Sequence, residues 1–133
     1  MTEPQDPYTV LIVDDDVAFV WWLGEMFTEA GYQVIPALNG NQALSLVGNL
    51  QVEINVLIVN TALSGVGQLV KSLAESAGDL KIVLIHDNRN SKTPNFRYDA
   101  SLTRPVGREP VSREDWLRKL RTLLKQLEAT PHR

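Results

Sequence analysis

Seven residues near the start, Val10-Leu11-Ile12-Val13-Asp14-Asp15-Asp16, restrict the possible folds more than any other stretch of the chain. Four apolar residues, three of them β-branched, run into three carboxylates with nothing polar between them. Such a run reads as a strand buried on both faces, which is the setting of a central strand in a parallel sheet. Its end then delivers a cluster of negative charge to the edge of the sheet where open α/β folds keep their ligand sites. What such a cluster can do depends on what the other strands bring to that edge.

Two more strands of the same kind follow: Asn55–Asn60 and Lys81–His86. Between and around them lie a short strand with a proline, Gln33-Val34-Ile35-Pro36, that suits a sheet edge, and a final strand at Asp99–Thr103. Helical spacing fills the connections. Phe19, Trp22, Leu23, Met26 and Phe27 form one stripe between Asp16 and Ala30, and Gly31 stops that helix. Asn39-Gly40 is a turn signal before a helix over Asn41–Leu50, with Ala43, Leu44 and Val47 inward. Ser64-Gly65-Val66-Gly67 is a loop, and Gln68–Ala77 is a helix closed by Gly78. Residues 87–98 lack apolar periodicity and read as loop. Gly107–Val111 is a connection with a second proline. Ser112 and Asp115 form an acidic capping-box signal for a last helix, whose stripe is Trp116, Leu117, Leu120, Leu123, Leu124 and Leu127. The alternation predicts a doubly wound five-stranded parallel sheet of flavodoxin-like order 2-1-3-4-5, with helices on both faces and the fourth helix of that plan short or missing.

With 133 residues and 44% hydrophobic content, one domain of ordinary core size is expected. Its span is taken as residues 9–128, between tails at 1–8 and 129–133. No apolar run reaches membrane-spanning length. The opening residues do not form a signal peptide, and the absence of cysteine excludes disulfides and thiolate metal sites. A cytoplasmic protein is the expectation. Charge is unevenly spread. Residues 1–80 hold ten acidic residues and one basic residue, net −9, whereas residues 81–133 hold twelve basic and six acidic, net +6.

The order of these features resembles the receiver domain of bacterial two-component response regulators. Ile12-Val13-Asp14-Asp15-Asp16 is followed by fifteen residues to Gly31-Tyr32-Gln33-Val34, as in that family. Asn39-Gly40 with Ala43-Leu44, Val56-Leu57-Ile58-Val59, Ser64-Gly65 and Arg104-Pro105 then fall in family order, so the resemblance covers residues 9–127. It implies a phosphoryl acceptor at the end of the third strand, a magnesium-holding acidic pair after the first, a hydroxyl ending the fourth and a lysine after the fifth. In this chain the acidic pair is Asp14 and Asp15, next to Asp16. The acceptor position is Asn60, the hydroxyl position His86, and the lysine position Arg104, before Pro105.

Three of four working parts are therefore changed. A neutral carboxamide cannot form the acylphosphate that a carboxylate can, and a site short of one carboxylate holds Mg²⁺ weakly, if at all. Arg104 presents a fork suited to bidentate pairing with Asp14 or Asp15, so it is expected to neutralise part of the cluster. His86 reads either as a pH-sensitive partner of the carboxylates or as a strand-end histidine bonded to backbone or water. No cofactor and no catalysis are expected. Ser64 lies in no nucleophile elbow, and two histidines, His86 and His132, are too few for a familiar transition-metal site.

The resulting expectation is a pseudo-receiver that takes no phosphoryl group and acts through protein contact in a two-component-type pathway. Partners would be a histidine kinase, another regulator of the phosphorelay or an output protein, with no membrane involved. A second reading has a divalent cation or small anion regulating the altered pocket. A third has the basic last helix (Arg113, Arg118, Lys119, Arg121, Lys125) binding an acidic partner or nucleic acid, although no reading module accompanies it. Val20 and Trp21 lie off the first helix's stripe. They form a candidate interface, since aromatic residues are enriched in binding hot spots. The alternative is that Trp21 lies flat against the last helix.

Overall fold

A computed structural model describes residues 8–76, 80–86, 96–103 and 113–129. The elements are β1 (Thr9–Val13), α1 (Val17–Glu29), β2 (Gln33–Ala37), α2 (Gly40–Leu50), β3 (Val56–Asn60), α3 (Val66–Ser76), β4 (Lys81–His86), β5 (Ala100–Thr103) and α4 (Arg113–Ala129). All strand pairs are parallel, in the order β2-β1-β3-β4-β5. The expected topology is the observed one. Among the described residues no helix separates β4 from β5.

The three apolar runs occupy the centre because a parallel sheet with helices on both faces has no solvated side for them. Their side chains alternate between two cores. Val10, Ile12, Val56, Ile58, Val83 and Ile85 meet α1 and α4, where Phe19, Leu23, Phe27, Trp116 and Leu120 close the layer. Leu11, Val13, Leu57, Val59, Ile82 and Leu84 face α2 and α3. Pro36 sits in the edge strand β2, exposed, where the missing N–H costs no ladder bond between central strands.

Short polar devices set the entries and exits. The Asn55 side chain accepts from the Thr9 backbone N–H at 2.7 Å, and the Asp99 carboxylate accepts from that of Ile82 at 2.8 Å. Asn39 caps α2 by accepting from the Gln42 N–H at 2.8 Å. The end of α1 is a Schellman motif. The N–H of Tyr32 donates to the Phe27 carbonyl, that of Gly31 donates to Thr28, and Gly31 takes φ +96°. The Tyr32 ring meets Phe27 edge-on at 5.6 Å, which supplies the hydrophobic contact that accompanies such caps.

Element boundaries move by up to two residues from their sequence-based positions, as at α3, which begins at Val66. Several expectations fall outside the described residues: the tails at 1–7 and 130–133, the Gly78 stop, the loop at 87–95, the Arg104-Pro105 pair, the connection at 107–111 and the Ser112 cap. The same is true of the side chains of Arg113, Leu117, Leu124 and Leu127. No helix among the described residues is long and apolar enough to cross a membrane.

Candidate functional site

The C-terminal ends of β1 and β3 are neighbours, because Val13 pairs with Val59 across the sheet. That pairing brings Asp14 and Asn60 together in the interior, 1% and 0% exposed. The Asn60 amide Nδ2 donates to Asp14 Oδ2 at 3.0 Å. The other oxygen of Asp14 accepts from the Asp16 backbone N–H at 2.9 Å. Asn60 Oδ1 accepts from the Ala62 N–H at 2.8 Å. A buried carboxylate is costly unless its oxygens are hydrogen-bonded, and here both are. The amide does what a neighbouring carboxylate could not: it offers hydrogens to Asp14 in place of a second negative charge.

The other two aspartates have different positions. Asp15 is exposed. Asp16 is half-buried and caps α1, accepting from the Phe19 N–H at 3.1 Å. The run of three carboxylates therefore divides into a buried acceptor, a solvent-facing charge and a helix cap. Among the described residues no group of three or more His, Asp or Glu side chains is placed to hold a metal ion.

His86 ends β4, half-buried, with Nδ1 3.5 Å from the Thr61 hydroxyl oxygen. The same hydroxyl lies 3.5 Å from the Ile85 carbonyl oxygen, and both contacts are at the limit of hydrogen bonding. Thr61 was not singled out from the sequence. Its position directly after Asn60, across from His86, follows from the β3–β4 register, in which Asn60 pairs with Ile85. Arg104 and Pro105 lie outside the described residues, and so does the expected pairing of Arg104 with Asp14 or Asp15. Among the described residues, the Asn60 amide is a partner of Asp14.

The Val20–Trp21 expectation divides. Val20 is buried, 5% exposed, and belongs to the α1–α4 core. This corrects its reading as a surface residue. The buried face of α1 is wider than the stripe read from the sequence: Val20 lies three residues before Leu23 and seven before Phe27, on the flank of one face. Trp21 is 71% exposed. The tryptophan that meets the last helix is its neighbour Trp22, whose ring lies 5.4 Å from Trp116 at 71° and 6.1 Å from Phe19. Trp21 instead borders a groove of about 470 Å³ with Gly24, Glu25, Val34 and Pro36. Those residues were missed, although Trp21, Gly24, Glu25 and Thr28 already share one helical face in the sequence.

No family model and no curated protein sequence matches this chain. Solved structures do. The fold is that of a response regulator receiver domain. A CheY-like receiver domain from Methanospirillum hungatei JF-1 superposes with a TM-score of 0.68 at 20% identity, over 92% of this chain and 98% of that one. The receiver domain of an HD domain-containing protein from Pseudomonas fluorescens Pf-5 gives 0.70 at 17% identity, over 94% and 100%. Vibrio cholerae CheY4 gives 0.63 at 19%, over 89% and 99%. The receiver fold thus accounts for nearly the whole chain. It places Asn60 at the end of β3, beside Asp14 at the end of β1.

Proposed function

We propose that this chain is a receiver-fold signalling module that accepts no phosphoryl group and acts through protein contact in a two-component-type pathway. The observation that carries this reading is the 3.0 Å bond from the Asn60 amide to buried Asp14. Phosphoryl transfer to the end of β3 requires a side-chain oxygen with a nucleophilic lone pair and a cation to offset the incoming charge. Asn60 has a neutral carbonyl oxygen, already accepting from Ala62, and a donor NH₂ directed at the carboxylate that would ligate the cation.

This side-chain set does not fit Mg²⁺. A hard divalent ion needs oxygen lone pairs converging at near-octahedral positions. Here Asp14 accepts hydrogen bonds on both oxygens, and Asp16 is engaged as a cap. The module therefore holds one state of the site without metal or phosphoryl group. Its output is a surface that a kinase, regulator or output protein can bind.

The test is incubation of the full chain with millimolar Mg²⁺ and a small acyl-phosphate donor, followed by intact mass measurement. Unchanged mass is expected. A phosphoryl adduct on the wild-type chain would overturn the reading.

A further inference from the structure

On the α1–α4 side of the sheet the helical layer ends at α1. The strand beyond it, β2, keeps Val34 only half-buried and Pro36 exposed. Both alternate onto the face that α1 covers, since Val34 packs against the α1–α4 core. The groove beside α1 follows the helix from Val20 to Glu29, a length of roughly 14 Å at the α-helical rise. Trp21 forms one wall. Gly24 leaves the space open at mid-length, since a Cβ there would already touch Val34 Cγ1 at 3.4 Å. Exposed Glu25 and Glu29 supply two carboxylates along the same edge, and α1 carries no basic residue.

We infer that this groove binds an amphipathic helix of a partner protein, with an apolar stripe flanked by lysine or arginine. The inference rests on the protein-contact reading above and names the chemistry of the contact. A helix fits because the slot lies beside α1 and over an edge strand, where one more helix would continue the layer. The apolar stripe covers Trp21, Val34 and Pro36, and flanking cations meet Glu25 and Glu29, each of which can accept from more than one donor. Chemistry excludes one closer occupant. A second copy offers the basic residues of α4, but its apolar residues Trp116 and Leu120 are buried in its own core and cannot fill the groove.

The experiment is fluorescence anisotropy of a labelled helical Leu/Lys peptide with leucines at i, i+3, i+4 and i+7, titrated with the full chain. A Leu/Glu peptide of the same pattern is the control. Saturable binding of the Leu/Lys peptide is expected, weakened about tenfold or more by Trp21→Ala and by Glu25→Lys/Glu29→Lys, and weakened by added salt. Glu53→Lys/Glu75→Lys, at exposed sites outside the groove, should leave it unchanged. Absence of binding, equal loss in the Glu53/Glu75 variant, or insensitivity to Trp21→Ala would overturn the inference. So would concentration-dependent self-association of the wild-type chain that Trp21→Ala abolishes, because a second copy would then be the occupant. Circular dichroism verifies that each variant is folded. Failure here leaves the phosphodonor result untouched, so the two readings fall separately.

Discussion

At the scale of single residues, Asn60 sets part of the environment in which Asp14 is buried. Its amide converts what would be a repelling carboxylate pair into a hydrogen-bonded one, and a hydrogen bond to a charged group contributes about 1.5–3 kcal/mol. Replacing Asn60 by Ala removes one donor from buried Asp14, and a loss of about 1–3 kcal/mol is expected in urea unfolding. Asn60→Asp is more diagnostic. It sets two carboxylates within hydrogen-bonding distance in the interior, so the variant should melt below the wild type in chelator and recover stability with millimolar Mg²⁺. Wild-type melting should ignore the same metal; a matching upward shift in both proteins would contradict the account of Asp14. Two of the three tryptophans, Trp21 and Trp116, make a second contrast. Trp21→Ala should change stability by no more than about 0.5 kcal/mol, as expected of a surface position. Trp116→Ala should cost about 3–5 kcal/mol, because its ring is 4% exposed and packs edge-on against Phe19 and Trp22.

At the scale of elements, α1 is held at both ends by local chemistry and along its length by burial. Asp16 caps its start and Gly31 ends it with a left-handed residue. Gly31→Ala keeps the Schellman hydrogen bonds only by forcing a Cβ into φ +96°, so a loss of roughly 1 kcal/mol is expected. Nothing lies within 4 Å of the added Cβ; the cost is therefore conformational, and Gly31→Asn should recover part of it. The helix ends matter to function because α1 connects the two regions of interest. Its cap is one of the pocket aspartates, and its outer face is the groove. The basic helix α4 has a simpler surface. Arg118 and Asp115 pair at 3.7 Å, both exposed, an arrangement worth little in water.

At the scale of the whole molecule, the topology was legible from the sequence, and the groove beside α1 was legible only at Trp21. The apolar runs at β1, β3 and β4 identified the centre of the sheet, because only a strand covered on both faces lacks polar alternation. Pro36 identified an edge, and Gly31 identified a helix end. The amide at the end of β3 was also readable, since Asn60 is a matter of composition at one position. Three-dimensional packing decided what that amide meets. Sequence reasoning did not anticipate the contact between Asn60 and Asp14; the sheet register placed the Asn60 amide on Asp14 directly. Packing likewise separated Val20 from Trp21. The two are adjacent and both lie off the narrow stripe. Which of them is covered depended on how α1 sits over the sheet, and the helix tilted Val20 inward and left Trp21 beside the uncovered edge of β2. Periodicity fixes which residues share a face, whereas burial depends on what lies opposite that face, and only the tertiary structure supplies it.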